Sequence, residues 1–132
     1  MKTALVFDAG LLALHFAGDS RVRDYFDAVQ NDRAIGLIAE VNLAEYYYKT
    51  CRKLGRDTAD IRYLMIRASK LHAIHDEALI RQAGLERCRT RLDLSLADCF
   101  VLAVAKREQA VILTTDSELR KTKDVSVKFF KL

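Results

Sequence analysis

The chain has 132 residues, 51% apolar and 30% charged, a globular balance that excludes a disordered chain. That length fits a single domain over residues 1–132, and no apolar run approaches the roughly 18 residues of a membrane span. With 22 basic residues against 18 acidic the net charge is +4, compatible with a polyanionic partner and too small to identify one.

Lys2 runs straight into Thr3–Phe7 (TALVF), a continuous apolar run that predicts a strand covered on both faces and not a signal peptide. Helical stretches follow at Leu11–Phe16 and Arg21–Gln30, and Ala34–Ala39 (AIGLIA) reads as a second buried strand. Glu40–Leu54 predicts a long helix with Ala44, Tyr47, Tyr48, Cys51 and Leu54 on its apolar side, leaving Tyr46 as the exposed ring. Gly55 stops it, and a helix over Asp57–Lys70 follows, with Ile61, Leu64, Met65 and Ala68 facing inward. Leu71–Ile74 reads as a short strand, Asp76–Arg91 and Leu96–Gln109 as helices, Ala110–Thr114 as a buried strand and Val125–Phe130 as an edge strand. Proline is absent, the glycines are scattered and no repeat is present, so nothing reads as a linker.

Short apolar strands alternating with helices predict an α/β fold with a central parallel sheet covered on both faces. Ligands of such sheets bind beyond the carboxyl ends of the strands, where the strand order reverses. The acids at strand ends therefore come first. Asp8 directly follows the first strand, and Asp116 follows VILTT. Asp98 leads a helix that is apolar all round and hence central, and Glu45 falls on the flank of the Glu40–Leu54 apolar stripe. Each acid also has a purely local reading. Asp8 and Asp116 can cap the turns after them, Asp98 completes a Ser95-x-x-Asp98 capping box, and Glu45 can pair with Lys49.

Brought to one sheet edge, four carboxylates repel one another strongly, and a bound cation is one of the few ways to relieve that. Oxygen-only donors without a nearby His or Cys favour Mg²⁺ or Mn²⁺, which can activate a water against a phosphodiester. Asp98, at a helix N-terminus, is expected to stay ionised, as metal ligation requires. Three basic clusters offer phosphate contacts: Arg120, Lys121, Lys123, Lys128 and Lys131; Arg81, Arg87, Arg89 and Arg91; Lys49, Arg52, Lys53 and Arg56. They are otherwise solvated helix faces.

The order Asp8 after the first strand, Glu45 in L-A-E-Y-Y, Asp98 in L-S-L-A-D-C-F-V-L-A-V-A and Asp116 in I-L-T-T-D-S-E-L resembles the PIN-domain family. In particular it is similar to the small ribonuclease toxins of the VapC type, and the resemblance runs from Val6 to the last strand. It implies a three-layer α/β/α sandwich and a Mg²⁺- or Mn²⁺-dependent endoribonuclease, the toxin of a toxin–antitoxin pair. By the same resemblance Asp8, Glu45, Asp98 and Asp116 are the catalytic acids, Asp8, Asp98 and Asp116 hold metal, and Thr114 is the supporting hydroxyl. Asp93 and Glu118 are candidates for a fifth acid. Glu40 is either a metal neighbour or an acid placed by the helix dipole. Ala9-Gly10 departs from the pattern, because a small hydroxyl residue is frequent there in the family.

The partners implied are an RNA substrate, a small antitoxin and a second copy of the chain, in the cytoplasm and without a membrane. The alternative is a catalytically inactive PIN-like module that binds RNA or protein. A receiver domain needs paired acids after its first strand, and a haloacid-type phosphotransferase needs D-x-D; position 10 is glycine. Cys51, Cys88 and Cys99 read as reduced, mostly buried thiols. His72 and His75 read as surface residues and His15 as a packing residue.

Overall fold

Each apolar run becomes a strand, because β-branched and aliphatic side chains can be buried on both faces only inside a covered sheet. The computed structural model describes residues 2–132. In chain order it comprises β1 (Thr3–Phe7), α1 (Ala9–Phe16), α2 (Ser20–Gln30), β2 (Ala34–Ala39), α3 (Glu40–Leu54) and α4 (Arg56–Ala68). Then come β3 (His72–Ile74), α5 (Glu77–Arg89), α6 (Leu96–Glu108), β4 (Val111–Thr114), a 3₁₀ turn at Leu119–Lys121 and β5 (Val127–Phe129). All strand pairs are parallel, in the order β3-β2-β1-β4-β5. The register sets Val6 beside Leu37 on one side and Ile112 on the other.

Alternation along the strands divides the core in two. Val6, Leu37 and Ile112 face α5 and α6, packing with Leu79, Ala83, Val101 and Val104. Leu5, Phe7, Ile38 and Leu113 face the other way, onto Leu11, Leu12, Val22, Phe26, Leu43 and Ile66 from α1 to α4. The result is the expected α/β/α sandwich. Because β2 and β4 flank β1, the strand order reverses between β1 and β4, and the crevice opens there. Gly55, at φ 93°, separates α3 from α4 in a conformation side chains rarely adopt. No helix among the described residues is long and apolar enough to cross a membrane.

The helix positions were well anticipated, but two of the faces were not. On α3 the buried residues are Asn42, Leu43, Tyr46 and Thr50, whereas Tyr48 and Leu54 are exposed. Tyr46, expected to point outward, is buried and stacks on Phe16 with ring centroids 5.8 Å apart. On α4 only Ala59 and Ile66 are buried, and Ile61, Leu64 and Met65 all face solvent. The reason is geometric. The α3–α4 pair is joined partly by polar bonds, Tyr47 to Asp60 at 2.5 Å and Arg62 to Tyr46 at 3.3 Å. The more apolar stripe of α4 is thereby left free. The cysteines also differ from expectation: Cys99 is buried, Cys51 half-buried and Cys88 exposed on α5. His15 packs as expected, stacked on Phe26 at 3.7 Å.

Candidate metal centre

The crevice at the carboxyl edge of β1 and β4 is a cleft of about 890 Å³, and Asp8, Glu45, Asp98 and Asp116 all line it. Four separate elements deliver them. Asp8 ends β1 and caps α1, accepting from the Leu11 N–H at 3.0 Å. Asp116 follows β4 and accepts from the Glu118 N–H at 2.8 Å. Asp98 sits in the first turn of α6, which runs antiparallel to β4 and so returns its N-terminus to this edge. Glu45 comes from the second turn of α3, which begins at the carboxyl end of β2.

The local readings of these acids hold as well. Ser95 and Asp98 form a reciprocal capping box, with bonds of 3.0 and 3.1 Å. Glu45 pairs with Lys49 at 3.4 Å. Capping thus serves to aim the carboxyl groups, since a capping oxygen is fixed relative to its helix.

Thr114 joins two of the acids. It is fully buried; its hydroxyl donates to Asp8 and accepts from the Asp116 N–H, the latter at 2.9 Å. The hydroxyl lacking at Ala9-Gly10 has a counterpart nearby. A Cβ on Gly10 would fall 2.1 Å from the Thr115 hydroxyl oxygen, so the Thr115 side chain occupies the room that glycine leaves. The Thr115 backbone N–H also bonds the Asp8 carboxylate. Sequence reasoning missed this pairing; its only trace was glycine two places after one acid and a second threonine before another.

Burial pushes the Asp8 carboxyl up to about 6, against the hydrogen bonds from Thr114, Leu11 and Thr115, and the charge of Glu45 adds to the rise. Burial also raises Asp98 to about 6, helped by the Asp116 carboxyl beside it and opposed by the Ser95 N–H. Desolvation and a neighbouring acid thus outweigh the helix dipole at Asp98, although a carboxyl raised to about 6 is still mostly ionised at neutral pH, the state that metal ligation requires. Two raised carboxyls facing two further acids are a site of excess negative charge.

All the donors are oxygens, which fits Mg²⁺ or Mn²⁺. Among the described residues no group of three or more His, Cys, Asp and Glu side chains lies close enough together to hold a metal ion as the side chains stand. An open set of carboxylates around shared space suits an ion that keeps several of its waters.

The remaining candidates separate clearly. Asp93 lines the cleft; Glu118 does not, and bonds Lys121 at 2.5 Å. Glu40 is exposed and pairs with His75 at 2.7 Å, outside the cleft lining. Of the basic clusters, Lys49, Lys53 and Arg87 reach the cleft, while none of the five C-terminal basic residues lines it.

The PIN domain family model matches residues 5–125 of this chain. Among curated proteins none matches the sequence. Solved structures share the fold. VapBC2 from Rickettsia felis, bound to a DNA fragment from its promoter, superposes with a TM-score of 0.79 at 14% identity, covering 98% of this chain and 100% of that one. VapC20 from Mycobacterium tuberculosis, a sarcin-ricin-loop-cleaving toxin, gives 0.74 at 18% identity over 94% and 98% of the two chains. A toxin–antitoxin complex from Klebsiella pneumoniae gives 0.69 at 14% identity over 97% and 99%. With the family model spanning nearly the whole sandwich and the acids gathered at its switch point, this chain belongs to the PIN domain family.

Proposed function

We propose that the chain is a Mg²⁺- or Mn²⁺-dependent endoribonuclease and the toxin of a toxin–antitoxin pair. The observation that carries this reading is the meeting of Asp8, Glu45, Asp98 and Asp116 in one cleft at the switch point, two of them with carboxyls raised to about 6. When bound, the ion supplies an acidified water and neutralises charge building on the phosphate.

The chain's own residues do the rest. Asp8, Asp98 and Asp116 hold the ion, Thr114 fixes Asp8 against Asp116, and Glu45 orients the attacking water. Lys49, Lys53 and Arg87, at the cleft wall, bind the phosphates on either side of the scissile bond. The antitoxin partner is supported by the toxin–antitoxin assemblies among the structural neighbours. Tyr48, Leu54, Ile61, Leu64 and Met65 are exposed on α3 and α4 and give that helix pair apolar surface suited to a partner or a second copy. A second reading, an inactive binding module, draws on the Lys49–Glu45 pair, which already neutralises one acid.

Labelled RNA with and without Mg²⁺ or Mn²⁺ tests the proposal, beside Asp8→Asn and Asp98→Asn. The expected result is metal-dependent cleavage leaving 5′-phosphate and 3′-hydroxyl ends, abolished by either substitution. Cleavage without metal, cleavage surviving either substitution, or 2′,3′-cyclic phosphate ends would reject it. RNA binding with neither cleavage nor divalent-ion binding would favour the module.

A further inference from the structure

Asn42 is a buried polar side chain that no role described so far uses. It lies in the first turn of α3 and is 1% exposed. Its amide nitrogen donates to the Ala97 carbonyl oxygen of α6 at 3.1 Å. Its amide oxygen is buried and has no donor, a desolvation cost that an apolar residue would avoid. The orientation is set by the partner, because turning the amide over would bring two acceptor oxygens together.

Two features of its place are informative. Asn42 precedes Glu45 by one turn on α3, and Ala97 immediately precedes Asp98. Among the described residues this is the one hydrogen bond that joins α3 to α6. Among the described residues no ion pair joins the two helices either, and a directional bond resists the sliding and rotation that non-specific contact tolerates. A fold that keeps a half-satisfied amide at this position obtains a fixed register between the helices bearing two of the four acids.

We infer that Asn42 is a positioning residue, which clamps α3 against α6 through the Ala97 carbonyl and so sets the placement of Glu45 relative to Asp98. The inference rests on the nuclease reading for its catalytic consequence, but not for its structural one. A misplacement of about 1 Å in a catalytic constellation costs on the order of 100-fold in rate.

The test uses Asn42→Leu, which keeps the branch at Cγ, and Asn42→Ala, which cannot overpack. Three quantities are measured for each: thermal midpoint, the split between kcat and KM on RNA with Mn²⁺, and the crystal structure. The expected result is a midpoint within a few degrees of wild type for at least one variant, with kcat reduced about 10- to 100-fold, KM unchanged, and the Glu45–Asp98 separation altered. Full kcat, or an unaltered separation, in a variant that folds as wild type would overturn the inference, as would a loss of activity matched by a loss of stability. Should the wild-type chain cleave no RNA, the nuclease reading fails alone, and the Glu45–Asp98 separation in the variants still decides the clamp.

Discussion

Asp8→Asn should make the metal-free protein more stable at neutral pH, although it removes the most deeply buried acid of the site. Burial raises the Asp8 carboxyl from 3.8 to about 6, so its ionised form is disfavoured in the fold, by about 3 kcal/mol at pH 7.5. The sign follows from linkage. Below the unfolded value both states are protonated and nothing is lost; as pH rises from 3.8 through about 6, the folded state gives up that stability. Asparagine keeps the cap on the Leu11 N–H but weakens the bonds from Thr114 and Thr115, a loss of about 1 kcal/mol. The net gain is about 1–2 kcal/mol, or about 4–8 °C in thermal midpoint for a domain of this size. Thermal melts followed by circular dichroism at pH 7.5 and pH 4, without divalent ions, read it directly. The gain should be present at pH 7.5 and absent at pH 4. Saturating Mn²⁺ should stabilise the wild type more than the variant and narrow the difference, because an ion that binds only the folded site adds to its stability. A variant less stable than wild type at pH 7.5, or a gain of the same size at pH 4, would refute the view that Asp8 is held at a cost.

Three other sets of substitutions probe separate parts of the site. Thr114→Val removes the hydroxyl that links Asp8 to Asp116 and leaves the half-buried Asp116 N–H without its acceptor; urea denaturation should show a loss of about 1–3 kcal/mol, with Thr114→Ser restoring most of it. Gly10→Ala sets a Cβ 2.1 Å from the Thr115 hydroxyl oxygen and should cost about 1–3 kcal/mol by the same assay. Adding Thr115→Ala should recover part of that loss, since the Thr115 Cβ itself would remain 3.1 Å away. Removing Lys49, Lys53 or Arg87 should each lower the salt slope of RNA binding by about 0.7, whereas Arg81→Ala, outside the cleft, should leave the slope unchanged.

The acids were legible in the sequence because strand ends are. TALVF followed by Asp8 and VILTT followed by Asp116 put both carboxylates at one edge of any parallel sheet, whatever its strand order. Asp98 was legible through its helix, since only a central helix is apolar on every side, and its residues from Val101 to Ala105 are indeed buried. What periodicity could not decide was which stripe of α3 and α4 turns inward. Ile61, Leu64 and Met65 form the more apolar stripe of α4, yet they face out; Asn42 and Thr50 are polar, yet they face in. An apolar stripe reports what a helix can bury, not what covers it. Polar residues beneath a charged cleft reverse the usual inference. The Thr115–Gly10 contact was hidden for another reason: it joins residues 105 positions apart, and only the pairing of β1 with β4 brings them together. The rise of the Asp98 carboxyl was hidden as well, because the helix dipole is visible in a sequence while burial and the approach of Asp116 are not.

The most direct measurement is Mn²⁺ binding followed by electron paramagnetic resonance at pH 7.5, on the wild type and on Asp98→Asn, Asp116→Asn and Glu40→Gln. The wild type should show a site that Asp98→Asn and Asp116→Asn each weaken ten-fold or more, about 1.4 kcal/mol, while Glu40→Gln leaves it intact. A wild type that binds no Mn²⁺ at millimolar concentration, or an Asp98→Asn variant that binds as tightly as wild type, would contradict it.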